Sequence, residues 1–416
     1  MKGSVLAALL AALSGFSAAP CLAAFAAWNA PEHLDKPYVV LVSIDGYRHD
    51  YTDRFKPKHL RRLRKNGSSA AALIPVFPSK TFPNHYGIAT GLYPERHGIV
   101  GNRFHAPDLK KDFSLADRTS VEDGRFYGGL PLWSAAGKAQ MVSAVYFWPG
   151  SEAEIAGFRP SRYLRYKAAT PDSERVDQAL EWLRLPARKR PHLVCLYFSG
   201  VDRQGHTYGT ASKELKEAVL DVDTQIGRLM DGLKQTGLPV NLIVLSDHGM
   251  LDLDPKDSIF VNNITDLTGA KVFPSREVFT IHSDDAKKRD QMYADLSAYA
   301  KHYRVYRRED IPQRLHYRSP RAGDILVEAD PPYSLAMYAT TMPAKSPASH
   351  GYDPDLSPEM RGIFYAQGPL FREETRIEAV RNIHVYPLVL RLLGLEIPKD
   401  IDGDPGALAP LLAERQ

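Results

Sequence analysis

Short apolar runs recur along the chain, and longer stretches with helical spacing separate them, the pattern of a mostly parallel sheet covered by helices. The predicted strands are 38–44, 71–76, 142–147, 193–198, 241–245, 324–328 and 363–366. Helical periodicity predicts helices over 57–65, 84–91, 171–185, 212–236, 283–302 and 377–393. The class is therefore α/β. Residues 254–345 differ in texture, with many Pro, Arg and Asp residues and shorter strands such as 278–282. They predict a smaller α+β insertion, and no flexible linker marks either of its ends.

The first 27 residues have the pattern of an export signal. Lys2 supplies the positive start, Val5 to Ala19 is apolar, and Cys21-Leu22-Ala23 or Ala24-Phe25-Ala26 offers small residues for cleavage. Ser14, Gly15, Ser17 and Pro20 break the apolar run, so it is too short for a bilayer span, and no other stretch is long enough. A secreted or periplasmic protein with no membrane span after cleavage is expected. Only Cys21 and Cys195 are present, and Cys195 lies in a predicted buried strand as a small hydrophobe. Packing and metal, not disulfides, must then hold the mature fold.

At 416 residues the chain can bury a large core. Its net charge of +4 tolerates anionic substrates but offers no basic stripe interleaved with aromatics for duplex nucleic acid. The Arg61-Arg62-Leu63-Arg64-Lys65 cluster reads as the basic end of a solvated helix. Oligomeric state has no signature in the sequence.

Chemistry-bearing residues gather where apolar runs stop. Asp45-Gly46 follows the first predicted strand, Asp202 to His206 follows 193–198, and Asp247-His248-Gly249 follows 241–245. Thr81 follows the run ending near Phe77, and His350-Gly351 comes after the insertion. In open α/β sheets the carboxyl ends of the strands form the ligand crevice, so distant segments would converge there. Carboxylate and imidazole together favour zinc over magnesium. Asp202 and His206 are four apart, on one face of a helical turn, and with His350 they make one three-ligand site. Asp45, Asp247 and His248 make a second, with the Thr81 oxygen as fourth ligand. Two ions roughly four ångströms apart would hold both the attacking and the leaving oxygen of an in-line displacement. Pro83-Asn84 suggests a helix start, with the N–H groups near Phe82 and Asn84 turned towards an anion. His85 reads as structural.

The Phe77-Pro78-Ser79-Lys80-Thr81-Phe82-Pro83-Asn84-His85-Tyr86 segment resembles the nucleophile motif of the nucleotide pyrophosphatase/phosphodiesterase family, within the alkaline phosphatase superfamily. The resemblance runs from about Tyr38 to Tyr386, with the ligand motifs in the family's order. It implies two zinc ions, one on Asp202, His206 and His350 and one on Asp45, Asp247 and His248. It implies Thr81 as nucleophile, forming a phosphothreonine ester that water then hydrolyses. Asn102, with the Phe82 backbone N–H, resembles the pair that stabilises a nonbridging phosphate oxygen. Phe82 and Tyr197 resemble the aromatic pair that sandwiches a nucleobase. The implied substrate is a small nucleotide or other phosphodiester. Choline-bearing phosphodiesters are the alternative within the same chemistry, and a secreted metal- or phosphate-binding protein without catalysis is the alternative of another class. The Tyr163-Leu164-Arg165-Tyr166 segment is a candidate wall for either pocket.

Overall fold

The computed structural model describes residues 24–338 and 346–414. The expected signal, up to residue 23 and including Cys21, lies outside the described residues, as do positions 339–345 of the expected insertion. Ala24 already belongs to the body: its N–H donates to the Gly157 carbonyl at 2.9 Å and its carbonyl accepts from Arg159 N–H at 3.1 Å. Among the described residues no helix is long and apolar enough to cross a membrane.

The main sheet has eight strands in the spatial order Thr375–Ile377, Ser68–Ala70, Phe364–Gln367, Val240–Leu245, Tyr38–Ile44, Leu193–Phe198, Ser143–Tyr146 and Arg162–Leu164. Phe364–Gln367 runs antiparallel to both its neighbours, and the other pairs are parallel. Successive side chains point to opposite faces, so each central strand feeds two cores. Val39, Leu41, Leu193, Cys195, Ile243 and Leu245 pack into one. Val40, Val42, Ile44, Val194, Leu196, Phe198, Leu242 and Val244 pack into the other. Burial on both faces explains why these strands read as continuous apolar runs.

Register places the chemistry. Ser43 lies opposite Tyr197 on one side and Leu245 on the other. Two residues further on, Asp45 and Asp247 leave the sheet at the same level, and Asp202 follows in the first turn of the Gly200–Tyr208 helix.

Some expected elements move. The strand expected over 324–328 is Ile325–Ala329, and it belongs to a separate four-stranded antiparallel sheet with Lys271–Pro274, Val278–His282 and Tyr303–Arg307. Phe279, Ile281, Ile325 and Val327 from that sheet pack with Met292 and Leu296 of the Ala286–Ala298 helix in a third core. The strand expected over 71–76 divides into Ser68–Ala70 and Leu73–Ile74. Of the helix expected over 377–393, only Val385–Leu393 is α-helical. Ile377 and Val380 instead pair with Ala70 and Leu73, because edge strands there needed partners that helical spacing does not reveal. The basic helix Lys58–Asn66 turns Leu60 and Leu63 inward and leaves its outer face to Arg61, Arg62 and Lys65.

Within the insertion Glu328 is 0% exposed and faces Arg304 across the sheet, with Arg304 Nη2 donating to Oε1 at 3.0 Å. Burial outweighs the Arg304 charge and pushes the Glu328 carboxyl up to about 7 from 4.5. A raised folded-state pKa contributes stability that is full below the unfolded value and is lost as pH rises through the folded one. Stability should therefore decline between pH 4.5 and 7 from this group. Glu328→Gln should flatten that decline, so the Tm difference between variant and parent is more favourable to the variant at pH 8 than at pH 5 in thermal melts.

Candidate active site

Asp45 ends the central strand in a turn that only glycine permits at the next position. Gly46 has φ +68°, and a Cβ there would meet Asp202 Cα at 2.9 Å and Oδ1 at 3.0 Å. The absent side chain lets the two loops touch, and Asp202 N–H donates to the Asp45 carbonyl at 3.1 Å. Gly46 N–H donates to Asp247 Oδ1 at 3.2 Å, which ties in the third carboxylate.

The histidines share one orientation. Nδ1–H donates to a backbone carbonyl in each: His248 to Gly249 at 2.9 Å, His206 to Ala348 at 3.0 Å, and His350 to Ser79 at 2.7 Å. That bond sets the tautomer and leaves each Nε2 lone pair turned into the site. His248 Nε2 lies 3.0 Å from Asp247 Oδ2 and 3.3 Å from Asp45 Oδ1. Asp202 Oδ1 lies 3.4 Å from His206 Nε2 and 3.6 Å from His350 Nε2. The His248 and His350 rings stack at 3.6 Å, which brings the two groups together.

Among the described residues no Lys or Arg is bonded to these carboxylates. Asp45 Oδ1, Asp202 Oδ1 and Asp247 Oδ2 are buried without a hydrogen-bond donor. Burial, then the charges of Asp247 and Asp202, pushes the Asp45 carboxyl well above its usual range. Burial also opposes the charged form of Asp247, but the neighbouring His248 and His85 outweigh it and hold that carboxyl low. Burial and the charges of His248, Lys80 and His206 hold His350 well below the usual imidazole value, so it stays neutral. Buried carboxylate oxygens gathered beside imidazole nitrogens are a donor set suited to a borderline divalent cation. Ligand atoms of Asp45, Asp247 and His248 lie within 4.8 Å of one another, as do those of Asp202, His248 and His350. The donor set fits two divalent ions, with His248 within reach of both positions and His206 joined through Asp202.

Thr81 faces the first of these groups, its hydroxyl donating to His248 Nε2 at 3.4 Å. The helix begins at Thr81 and not at Asn84, running Thr81–Thr90. Pro83 falls in its first turn, where a missing N–H costs nothing. The N–H groups expected to point at an anion are occupied here: Phe82 N–H donates to Asn102 Oδ1 at 2.9 Å, and Asn84 N–H to the Lys80 carbonyl at 3.1 Å. The first bond orients Asn102, holding its Oδ1 back and leaving its Nδ2 to the cavity that both residues line.

Several supporting residues were not singled out by the sequence. Asn84 is buried and its side chain bonds the backbone of Val76, Pro78 and Lys80, which fixes the approach to Thr81. His85, read above as structural, sits 3.2 Å from Asp247 Oδ2 through Nδ1 and 2.8 Å from the Ser43 hydroxyl through Nε2. Its position four residues after Thr81 on a helix was the available signal. Lys80 Nζ is clamped between the His350 carbonyl and the buried carboxylate of Glu277, a residue of the insertion.

A cavity of about 380 Å³ opens beside Thr81, lined among others by Phe82, Asn102, Leu115, Tyr166 and Tyr197. Tyr197 has little ring to offer it. The residue is 7% exposed, and its hydroxyl donates to Asp45 Oδ2 at 2.5 Å. Tyr166, 40% exposed, is the open aromatic on that wall, with Phe82 partly buried against Phe113 at 5.5 Å.

A mixed sheet flanked by helices, with two candidate cation-binding groups at the strand ends, defines an alkaline-phosphatase-like protein. The model of the type I phosphodiesterase/nucleotide pyrophosphatase family matches residues 39–353, and the chain belongs to that family. It is 35% identical over 398 residues to ectonucleotide pyrophosphatase/phosphodiesterase family member 1 of Mus musculus, covering 92% of this chain and 43% of that protein. Venom phosphodiesterase CdcPDE of Crotalus durissus collilineatus is 33% identical over 402 residues, covering 93% of this chain and 48% of the other. The chain thus spans under half the length of the curated relatives it matches. Murine ectonucleotide pyrophosphatase/phosphodiesterase 5, solved in an inactive form in complex with AMP, superposes with a TM-score of 0.85 at 32% identity. That match covers 91% of this chain and all of the solved one.

Tyr197 is a positioning residue for Asp45. Tyr197→Phe removes the one side-chain donor to Oδ2 and should weaken metal binding by about tenfold, read as metal retained per chain against a competing chelator. Unchanged retention would remove Tyr197 from this role.

Proposed function

We propose that this chain is an exported phosphodiesterase and nucleotide pyrophosphatase that splits nucleotides to nucleoside monophosphate through a phosphothreonine intermediate. The observation that carries the reading is the Thr81 hydroxyl placed 3.4 Å from His248 Nε2, beside two groups of carboxylate and imidazole atoms that lie close enough together to bind a cation. Asp202, His206 and His350 would hold one zinc ion and Asp45, Asp247 and His248 the other. Zinc bound there would supply Lewis acidity and lower the pKa of a coordinated hydroxyl or water.

The chain's own groups account for the rest. Thr81 Oγ1, its proton released to solvent as the bond forms, attacks phosphorus in line with the leaving oxygen. The P–O bond to the leaving group breaks, that group departs with the bonding pair, and phosphothreonine remains. Water then attacks the same phosphorus and returns the Thr81 hydroxyl with release of the monoester. Asn102 Nδ2, oriented by the Phe82 N–H, binds a nonbridging oxygen as its charge grows. Base stacking falls to Phe82 and Tyr166, since the Tyr197 hydroxyl is committed to Asp45. The cavity's Glu152 already accepts from Arg118 Nη1 at 3.1 Å and from Tyr166 N–H at 3.1 Å, so it offers no free carboxylate to a choline group. That pairing favours nucleotides over choline lipids. For the mature start, cleavage after Ala23 would keep the two backbone bonds of Ala24, and cleavage after Ala26 would remove them.

Thr81→Ala should retain both metals and lose turnover by about a thousandfold or more. The check is a competition assay on zinc-loaded protein with ATP, a dinucleoside polyphosphate, glycerophosphocholine and lysophosphatidylcholine, followed by mass spectrometry. AMP should appear first. Early loss of the choline compounds would overturn the substrate class, and wild-type turnover in Thr81→Ala would overturn the nucleophile.

A further inference from the structure

The basic run Arg61-Arg62-Leu63-Arg64-Lys65 has no part in the active site, and the fold enlarges it. The Lys58–Asn66 helix turns Leu60 and Leu63 into the sheet's second core and leaves Arg61, Arg62 and Lys65 outside. Lys56 from the preceding turn and Arg376 from the Thr375–Ile377 edge strand close around the same face. They line an open basin of about 580 Å³ in which every lining residue but Asn66 is cationic. Of these cations only Arg64 has an ion pair among the described residues, its Nη1 donating to Asp53 Oδ2 at 2.9 Å. Glu373, Glu374 and Glu378 flank Arg376 in sequence, yet none is paired with it.

The helix gains nothing internally from this charge. Lys58 with Arg62 and Arg61 with Lys65 are like-charge pairs four apart, which repel across one turn. The first turn has no acid, so Lys58 also sits at the positive end of the helix dipole. Cations gathered against both effects point to a partner that brings the counter-charge.

The patch selects the kind of partner. Its charged ends ride on exposed, flexible stems, with no buried polar group to fix the geometry of one small ion. No aromatic lines it to stack bases, and the helix lies flat on the sheet, where it cannot enter a groove. A fluid array of phosphates that adapts to clustered charge meets what remains. The patch also leaves the active site free. Ser68–Ala70, which follows the helix, runs in the direction of Tyr38–Ile44, so Asn66 lies at the end of the sheet away from Asp45. Arg376 is on the edge strand, four strands from Tyr38–Ile44, about 19 Å at the usual strand spacing.

We propose that this face is a docking surface for an anionic lipid bilayer, whose headgroup phosphates it binds while the active site stays open to solution. The inference is independent of which phosphodiester the site takes.

The test is co-sedimentation of the full chain with vesicles of phosphatidylcholine alone and of an equal mixture of phosphatidylcholine and phosphatidylglycerol. The protein should pellet with the anionic vesicles at low salt, stay in solution with the neutral ones, and be released as salt is raised. Combining Arg61→Gln, Arg62→Gln and Lys65→Gln keeps good helix formers in place and should weaken binding about a hundredfold, roughly fivefold for each charge removed. Arg376→Gln, on a different element, should weaken it about fivefold. Thermal melts matching the parent's would separate loss of binding from loss of fold. No pelleting with the anionic vesicles, equal pelleting with both kinds, or unchanged binding in both variants would overturn the surface. Tighter binding to duplex DNA than to the anionic vesicles at equal phosphate concentration would overturn the lipid as its partner.

Discussion

Everything around the strand ends depends on carboxylates and imidazoles gathered in a buried site. Ligand atoms of Asp45 and Asp247 lie within 4.8 Å of each other in a buried site. Burial and the nearby Asp247 and Asp202 charges push the Asp45 carboxyl well above its usual range, which is how this crowding is expressed. Divalent cations would turn the same arrangement from a cost into the tightest interaction in the fold. The protein prepares for them in three ways: register that levels Asp45 with Asp247, a glycine that lets Asp202 close in, and carbonyl bonds that aim three Nε2 lone pairs inward.

Thr81 is held from both sides of the molecule. Asn84 laces the loop that precedes it, and His85 ties its helix to Asp247 and to Ser43 on the central strand. Lys80 carries the tie outward, joining the residue before Thr81 to Glu277 of the insertion and to the His350 carbonyl. The insertion has its own core and its own sheet, yet its buried acid ends one bond away from the reacting segment. The Lys80–Glu277 pair is thus the direct tie between the insertion and the segment that carries Thr81.

Much of this was legible because the central strands are buried on both faces. Continuous apolar runs located 38–44 and 193–198 to the residue, and polar residues just beyond such runs marked Asp45, Asp247 and Asp202. Polar groups inside an apolar context carried less signal. Ser43 and His85 are satisfied by each other across two elements, which no local pattern announces. Tyr197 illustrates the opposite limit: a tyrosine at a strand end reads the same whether its ring meets a ligand or its hydroxyl meets a carboxylate, and here the hydroxyl decides. The Ile377 and Val380 strands were hidden for a related reason, since their partners Ala70 and Leu73 lie some 300 positions earlier in the chain.

The central claim is that the imidazole and carboxylate lone pairs converge on two cation positions. The most direct measurement is anomalous X-ray scattering at the zinc edge from crystals of the zinc-loaded protein. Two peaks are predicted, one contacted by Asp45, Asp247 and His248 and the other by Asp202, His206 and His350, each histidine bonding through Nε2. A single peak, or a metal bound through Nδ1, would contradict the account.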